Sequence, residues 1–474
     1  MFKKINTCIS KYLGCVIINK KTVTFIIFVV TAMITVTSQS MVNTSLEYIM
    51  RDFSVNASHA QLVYTTFLLV MGVIMPSSAY IINRFKLKRI LVVSLTSFII
   101  GSVIVYFSTS FWTLILGRIL EAACTGILLP TTQTLVFKLM PKEKWNFVMG
   151  IYGIIIGVMP AFGPTIGGYI SETTTWRNIF LILIICAVIM LILEHILISH
   201  ELETKDYSLD FISLILSVFA SFGIMFGFTN ITHNNIFSIY VILPIIIGII
   251  SLILFVRRQN EIENSLLNLN VLKNISFDSG VVYICLLYFS MCSINILMPL
   301  YNQNIAYYSA TISGIILLPA TLVYLVFNFI GNMIMGSIGI KKLLIISSII
   351  STVGFLSMTT YTLNSSIEYL IVTQSFRSVG AGLGLMPATT WAMSIVYENV
   401  EDASAIINSS RQIVAAIGSS ISAVILTLFI NGDITHNIQS LNGFSNTSVV
   451  LAAIMIISLA IVIFKINDKN QSEA

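Results

Sequence analysis

Charge is what this sequence lacks most. Only 9% of its 474 residues are charged and 56% are hydrophobic, whereas a water-soluble protein carries about 25% charged residues. No stretch is both long enough and polar enough to form a separate soluble domain. The deficit therefore excludes a soluble globular protein and predicts a chain that crosses a membrane many times.

Sequence motifs for several other kinds of chemistry are also missing. The six cysteines form no CxxC pair and the five histidines are scattered, which argues against a disulfide framework and against a metal site. No Walker-type glycine loop is present, so we expect neither ATP nor another cofactor. A polytopic enzyme such as a lipid-linked transferase would need a loop with clustered acids, and the sequence has none. These absences favour a transporter.

Apolar stretches of about 20 residues, the length that crosses a bilayer, occupy most of the chain. We count fourteen, which predicts an all-α membrane protein with fourteen transmembrane helices. The predicted parts are a cytoplasmic leader, a six-helix half, two inserted helices, a second six-helix half and a cytoplasmic tail, at 1–22, 23–200, 201–258, 259–465 and 466–474.

The lysines and arginines predict the orientation in the membrane. If the N-terminus is cytoplasmic, twenty of them fall on the cytoplasmic side and only Arg51 and Arg177 fall outside. The other three, Arg118, Arg377 and Arg411, lie inside apolar stretches. This asymmetry predicts that both termini are cytoplasmic. The net charge of +5 then follows from topology, and we expect no nucleic-acid partner.

Two landmarks occur twice along the chain, in the same order. The segment "NRFKLKRIL" at 83–91 matches "GSIGIKKLL" at 336–344, each after a second helix of its half. The segment "RILEAACTGILLP", which begins at Arg118, matches "RSVGAGLGLMP", which begins at Arg377. Such internal repeats are typical of secondary transporters. They predict two pseudo-symmetric six-helix halves.

The fifth apolar stretch contains "MPAFGPTIGG", with helix-breaking residues at Pro160, Gly163, Pro164, Gly167 and Gly168. In lipid, small residues let helix backbones approach closely, and prolines are tolerated where neighbours satisfy the backbone. One hypothesis is a kinked, smooth helix at the boundary between the halves, along which one half rocks. The other is a packing helix with no role in transport.

The chain resembles the major facilitator superfamily, in its fourteen-helix drug:proton antiporter branch. The similarity covers nearly the whole length and rests on several loose motifs in the right order: "SQSMVNTSLEYI", "SAYIINRFKLKRIL", "GRILEAACTGILLP", "GIIIGVMPAFGPTIGG", "TTWRNIF", "SLDFISLILSV", "SGIILLP" and "INSSRQIVAAIG". The resemblance implies a monomeric, proton-coupled secondary exporter that works by alternating access. It further implies membrane lipid as a partner and small amphiphilic drugs or antibiotics as substrates.

Five positions depart from the pattern of that family, one of them Ala79, which replaces the first glycine of the loop after the second helix. Ser38 stands where the first helix usually has aspartate, and Glu47 stands where a proline usually follows. Asn83 replaces the usual aspartate of the loop after the second helix, and Glu121 replaces the glutamine that usually follows the arginine of the fourth helix. Two expected carboxylates are therefore missing, and two unexpected ones are present.

The two unexpected carboxylates are candidates for proton coupling. Glu121 follows Arg118 by one helical turn, so the two side chains share a helix face and can pair. A carboxylate inside a membrane is costly and usually faces a cavity or a partner. The alternative is a purely structural pair. Glu47, with Arg51 one turn later, is the second candidate, and its alternative is an exposed pair at the membrane surface.

A central cavity between the halves is the predicted substrate site. Its predicted wall comprises Asn43, Arg118, Glu121, Gln303, Trp391, Arg411 and, as a further cavity-facing cation, Arg377. Four residues of the loop after the second helix are predicted to brace the inward gate, Asn83, Arg84, Lys88 and Arg89. The alternative is that this basic loop follows only from the topology, because cytoplasmic loops are generally basic.

We therefore expect a proton-coupled exporter of small amphiphilic compounds. The alternative is an uptake or endogenous-metabolite transporter of the same superfamily. The sequence leaves the substrate and its charge open. The isoleucine-, lysine- and asparagine-rich composition is typical of a bacterium with an AT-rich genome, which predicts location in the plasma membrane.

Overall fold

The computed structural model describes residues 20–198, 202–204, 208–231, 234–262, 265–428 and 436–466. All regular elements in these ranges are helices, as predicted. Most of the predicted leader and tail lie outside the described residues. The α-helices are α1 (Lys20–Asn43), α2 (Leu46–Phe53), α3 (Ala57–Ile74), α4 (Ser78–Arg84), α5 (Leu87–Tyr106), α6 (Phe111–Leu139), α7 (Trp145–Thr173), α8 (Arg177–Leu197), α9 (Phe211–Asn230), α10 (Ile239–Glu261), α11 (Ile275–Leu300), α12 (Ala310–Ile338), α13 (Ile340–Ser357), α14 (Ile367–Ile395), α15 (Val400–Leu428) and α16 (His436–Lys465).

Twelve helices of the described chain are long and apolar enough to cross a membrane. The count becomes thirteen when α14 and α15, which meet at a bend of 96°, are taken together as one broken span. α15 carries three charged residues, Glu401, Asp402 and Arg411. The chain is thus a multi-pass membrane protein.

The second predicted helix is interrupted at a proline. α3 passes through a short 3₁₀ segment, Met75–Ser77, before α4 continues to Arg84. Pro76 lacks a backbone N–H and cannot continue a regular α-helical hydrogen-bond ladder, which accounts for the tighter turn there. The two pieces remain one membrane-crossing segment, His59–Arg84.

Two sets of helices show matching packing. In the first set, α1–α8, α5 packs on α6 and α8, α1 on α7, and α3 on α6. In the second set, α11–α16, α13 packs on α14 and α16, α11 on α15, and α12 on α14. These are the same neighbour relations in the same order along the chain. The packing therefore shows the internal similarity that the repeated landmarks indicate.

α9 and α10 form a tight pair between the two sets in the sequence. A Cβ atom on Gly223 would lie 2.6 Å from the carbonyl oxygen of Pro244, so the two backbones touch there. Asp210 caps the first turn of α9, accepting hydrogen bonds from the backbone N–H groups of Ile212 and Ser213. Arg258 of α10 donates to both oxygens of the same carboxylate, at 2.6 and 2.9 Å. One carboxylate thus fixes the start of α9 to the end of α10.

We expect Asp210→Asn to lower the melting temperature of the purified protein at pH 7. The hydrogen bonds from Arg258 hold the pKa of the Asp210 carboxyl well below its usual range. A depressed pKa stabilises the fold above the pKa of the unfolded chain, about 3.9, and this stabilisation is lost as the pH falls further. The difference between variant and wild type should therefore shrink below about pH 4. Thermal unfolding in detergent across pH measures this, and a difference that grows on acidification contradicts it.

Candidate functional site

A buried ion pair lies at the centre of the first set. Glu121 and Arg118 are both on α6, one turn apart, and both side chains are completely buried. The Arg118 Nη1 atom donates to the Glu121 Oε2 atom at 2.5 Å. The predicted pairing on one helix face is what the structure shows. Burial of both charges means that neither can lose its partner without a large free-energy cost.

Two serines on neighbouring helices complete the surroundings of this carboxylate. Ser102 of α5 donates to Glu121 Oε1 at 2.6 Å, and Ser38 of α1 donates to Glu121 Oε2 at 3.1 Å. Ser38 also accepts a hydrogen bond from Arg118 Nη1 at 2.8 Å. The serine that replaces the expected aspartate is therefore a direct partner of the unexpected glutamate. Three helices, α1, α5 and α6, meet at one acid.

Glycine at position 101 makes this three-helix contact possible. A Cβ atom on Gly101 would lie 2.6 Å from the Gly117 carbonyl oxygen and 3.0 Å from Glu121 Cγ. α5 and α6 therefore cross with their backbones in contact, which brings the Ser102 hydroxyl within reach of the carboxylate. This is the small-residue packing expected between helices in lipid.

Aromatic rings close the site on the side of the arginine. The Arg118 guanidinium lies 4.3 Å from the centroid of the Phe67 ring and 6.0 Å from that of Phe180. Within the described residues, its Nε and Nη2 atoms have no hydrogen-bond partner. The guanidinium is thus held by one carboxylate, one hydroxyl and two ring faces. Chemically, Glu121 can exchange a proton only if this apolar surround opens.

Glu47, the second proton-coupling candidate, is in a different environment. It lies on the short helix α2 and pairs with Arg51 at 2.5 Å. The two side chains are 70% and 74% exposed, respectively. The structure thus matches the alternative given above for Glu47, an exposed pair with Arg51. Among the described residues, Glu121 is the only carboxylate of the buried site.

A cavity of about 390 Å³ lies between the two sets of helices. Its wall combines apolar side chains, amides and phenols with a single described charge, Arg411 of α15. The Arg411 guanidinium lies 4.4 Å from the centroid of the Tyr288 ring. The wall is formed by Val36, Gln39, Leu68, Met71, Met75, Leu129, Gln133, Tyr152, Gly153, Ile156, Gly157, Tyr288, Met291, Cys292, Asn295, Tyr324, Asn328, Met386, Asn408, Arg411 and Gln412.

Of the residues predicted to line the cavity, Arg411 alone does so, and the others need correction. Asn43 and Gln303 are exposed at helix ends, away from the wall. Trp391 is completely buried, with its ring against Gly280. Arg377 is buried within its own set, where it donates to Gln374 at 3.1 Å. A polar side chain in a membrane helix can therefore face its own bundle instead of the cavity.

The Arg118–Glu121 pair also lies away from the cavity wall. The nearest lining residue on α6 is Leu129, eight positions later, which is about 12 Å along a helix axis. Sequence reasoning missed the amides that do line the cavity, such as Gln39, Asn328 and Gln412. The available signal was an amide within an apolar stretch, which is costly in lipid unless it faces a partner or water.

The glycines of the fifth-helix motif pack within the first set. A Cβ atom on Gly167 would lie 2.2 Å from the Met41 carbonyl oxygen of α1, and one on Gly163 would lie 1.9 Å from the Ser40 hydroxyl. Thr44, in the turn directly after α1, donates to the Pro164 carbonyl at 3.1 Å. The expectation that this stretch forms the boundary between the halves is thus corrected. Pro160 lies within α7, and its side chain is outside the described set.

The boundary between the sets is formed by earlier glycines of the same helix. A Cβ atom on Gly157 would meet Leu325 of α12, and one on Gly150 would meet Phe329. A Cβ atom on Gly153 would meet Asn328. One half of α7 therefore packs on the second set, while the half with the proline–glycine motif packs on α1.

Further contacts between the sets lie at the end of the bundle that carries Arg84, Lys88 and Lys138, here called the basic end. Lys138 of α6 pairs with the nearly buried Glu401 of α15, with Nζ and Oε2 3.1 Å apart. Deeper along the same two helices, Ser404 donates to the Pro130 carbonyl at 2.8 Å. Asn408 donates to Gln133 at 2.6 Å. These bonds join the two sets between the basic end and the cavity.

The predicted gate residues lie at this basic end. Lys88 donates to the His195 carbonyl in the last turn of α8 at 3.2 Å, a contact that matches the negative end of a helix. The Arg89 guanidinium lies 5.1 Å from the centroid of the Phe85 ring, and Arg84 ends α4. Asn83 lines a polar cavity of about 280 Å³ beside Glu401 and Asp402. Their part in gating stays a prediction.

The comparisons with known proteins agree on one family. The family model of the Major Facilitator Superfamily matches residues 28–419. An uncharacterized MFS-type transporter YcnB of Bacillus subtilis is 29% identical over 90% of this chain and 91% of its own. The lincomycin resistance protein LmrB of Listeria innocua is 28% identical over 84% of this chain and 85% of its own.

A solved structure shows a similar fold at low sequence identity. The crystal structure of the human organic anion transporter MFSD10 (TETRAN) aligns with a TM-score of 0.65 and 10% identity. The alignment covers 93% of this chain and 99% of the human one.

Proposed function

The chain belongs to the major facilitator superfamily and is a membrane transporter. On this premise we propose that it exports small amphiphilic drugs or antibiotics in exchange for protons. The relative named for lincomycin resistance supports the drug-efflux part of this proposal. The proton-coupled part is supported by the buried Glu121. In this proposal the partners are the substrate, protons and membrane lipid, and one chain is the working unit.

The proposed architecture has fourteen membrane helices in two pseudo-symmetric halves with two inserted helices. The matching packing of α1–α8 and α11–α16 supports the two halves, with α9 and α10 as the insert. We assign 23–200 and 259–465 to the halves and 201–258 to the insert. The basic end then faces the cytoplasm, with both termini there, because lysines and arginines prefer that side.

The single observation that carries the coupling proposal is the Glu121–Arg118 pair. Protonation of Glu121 removes the negative charge that holds the guanidinium, while both serine hydroxyls can still hydrogen-bond the neutral carboxyl. Arg118 has few other partners, so its loss of the ion pair frees α6 from α1 and α5. Because α6 reaches the cavity at Leu129 and Gln133, the change is transmitted along this helix to the substrate. In this proposal, binding of the proton affects binding of the substrate although the two bind at different sites.

The arrangement of contacts supports the assignment of this conformation to one step of the proposed cycle. The sets are joined between the basic end and the cavity by Lys138–Glu401, Ser404–Pro130 and Asn408–Gln133. With the basic end in the cytoplasm, the cavity is closed on that side, as in a state that releases substrate outward. In the proposed cycle, a proton from outside binds Glu121 during release, and its departure to the cytoplasm restores the inward-facing state.

The proposal is tested with inverted membrane vesicles whose interior is acidified and monitored with a pH-quenched dye. Amphiphiles of each charge class are added to vesicles with the protein and to vesicles from cells with an empty vector. We expect at least one compound to dissipate the gradient only where the protein is present. If labelled compounds cross with no proton movement, the coupling proposal fails and the alternative of an uptake or metabolite transporter is favoured.

We expect Glu401→Gln to shift the protein toward states that are open at the basic end. The variant replaces an ion pair with a neutral contact. A pair with one partly exposed partner is worth about 1 kcal/mol, or roughly fivefold in population. Spin labels at the exposed positions Lys144 and Asn270, in a cysteine-free background, report the distance between the sets. Glu398→Gln changes an exposed acid nearby and serves as the matched control. An unchanged distance distribution in Glu401→Gln contradicts the latch.

A further inference from the structure

The charge of the central cavity is asymmetric. Among the described residues of its wall there is one cation, Arg411, and no carboxylate. Its polar groups are otherwise neutral, and they comprise amides such as Gln39 and Asn295 and phenols such as Tyr324. Four described carboxylates are buried elsewhere, Glu121, Glu194, Glu401 and Asp402, and none of them lines this cavity. Glu121 is paired with Arg118, and Glu401 with Lys138. The net charge of the described wall of this cavity is therefore positive.

Arg411 is also incompletely satisfied by the protein. Its Nε atom is buried and has no hydrogen-bond partner among the described residues. No described carboxylate lies within ion-pair distance of it. Its guanidinium lies over the Tyr288 ring and also contacts the hydroxyl of that residue, so the edge that carries Nε is the part left for a ligand. A buried donor without an acceptor is costly, and an anion supplied by a ligand would offset this cost.

From this arrangement we infer the charge class of the substrate, an inference that deepens the proposed export function and rests on it. We propose that the cavity binds an amphiphile with a carboxylate or another oxyanion, which pairs with Arg411. Guanidinium matches such groups because two parallel N–H donors fit two oxygens. The apolar part of the ligand then lies against Met71, Met291 and Met386, whose flexible thioethers adapt to different shapes.

Two sources can supply this chemistry, a free organic anion or the headgroup of an anionic lipid. Both would bring an oxyanion to Arg411, so the wall of the cavity does not by itself distinguish them. A binding measurement in defined lipid separates them. Because binding needs no gradient, it also separates failure of this inference from failure of proton coupling.

The experiment uses the purified full-length protein in phosphatidylcholine nanodiscs and three fluorescent probes that share a dansyl group and a similar chain. They are dansyl-ε-aminocaproate, its primary amide and dansylcadaverine, which are anionic, neutral and cationic at pH 7. We expect the anion to bind at least about tenfold more tightly than the amine, as for a buried charge pair. Equal binding of the three probes, or preference for the amine, overturns the proposal.

Substitution of the arginine tests whether this side chain is the cause. Arg411→Gln is expected to remove the preference for the anion and to leave binding of the amide within about twofold, since the apolar wall is intact. Arg411→Lys should keep part of the preference, because its ammonium carries the charge without the fork. Arg257→Gln, an exposed position on α10, is the matched control and should leave all three affinities unchanged. Loss of amide binding together with anion binding in Arg411→Gln would indicate a structural role and overturn the assignment.

The lipid arm repeats the titration with phosphatidylglycerol added to the discs. Competition with the anionic probe that disappears in Arg411→Gln identifies lipid headgroups as a source of the oxyanion. Unchanged binding of the probe identifies free organic anions as the ligand class. Competition that is the same in wild type and Arg411→Gln would place the anion elsewhere and contradict the inference.

Discussion

Glu121→Gln is expected to abolish proton movement driven by substrate while the protein still folds and binds substrate. Glutamine keeps the length of the side chain and can accept a hydrogen bond from Arg118, but it cannot take up and release a proton. In the inverted-vesicle assay, substrate should no longer dissipate the gradient, and transport of labelled substrate should lose its dependence on pH. Transport with unaltered pH dependence, at equal expression, contradicts the assignment of Glu121.

A second variant tests whether the carboxylate or its position matters. Ser38 Oγ lies 2.8 Å from Arg118 Nη1 and 3.1 Å from Glu121 Oε2, so an aspartate at position 38 would reach the same guanidinium. Ser38→Asp combined with Glu121→Gln moves the acid from α6 to α1, which is the arrangement usual for the family that this chain resembles. We expect the double variant to recover proton coupling in part.

Replacement of Glu121 by alanine tests how much the ion pair contributes to the stability of the protein. Glu121→Ala leaves the Arg118 cation buried and without its ion-pair partner, which typically costs about 3–5 kcal/mol. We expect this variant to express poorly or to melt well below Glu121→Gln in the same detergent. Similar stability of the two variants would contradict the hydrogen bond that glutamine at position 121 is expected to accept from Arg118.

The second large effect is expected at one of two adjacent glycines. Gly167→Ala should severely destabilise the protein, because the added Cβ would lie 2.2 Å from the Met41 carbonyl oxygen, a backbone atom that cannot rotate away. Separation of α1 and α7 to relieve this overlap would cost about 3 kcal/mol or more, above the usual range for overpacking. The yield of folded protein after detergent extraction and its melting temperature measure the effect.

The neighbouring glycine provides the matched control. A Cβ atom on Gly168 would lie 3.9 Å from Thr44, which is ordinary van der Waals contact. Gly168→Ala should therefore fold like wild type, and the gain in helix propensity makes slight stabilisation the expected direction. Equal behaviour of the two variants would contradict the helix crossing in which Gly167 faces α1.

Several features of this protein follow from sequence alone, because they depend on local composition and period. The low charge and the long apolar stretches determine that the chain is all-helical and crosses a membrane many times. The spacing of Arg118 and Glu121 determines that they share a face of α6. The family could be recognised because its motifs are short, ordered and local. The structure and the family match bear out these predictions.

Other features required the tertiary structure, because they depend on which neighbours each helix face meets. The sequence cannot show that Ser38 on α1 is the partner of Glu121, although both departures from the family pattern are visible in it. It could not separate Gly167 from Gly168, since both are small and only one faces a backbone. It placed Trp391 and Arg377 at the cavity because intramembrane polar groups often face one, whereas here both are buried within the bundle.

The three arginines in the membrane helices show most directly what the sequence determines and what only the tertiary structure decides. The sequence determined that three arginines lie within membrane helices, but each has a different partner in space. Arg118 meets a carboxylate, Arg377 meets an amide, and Arg411 meets a ring and open space. Composition and period determine that a side chain is in the membrane, because burial in lipid is a property of the whole segment. Only packing decides what that side chain contacts, because contacts depend on the rotation and approach of separate helices.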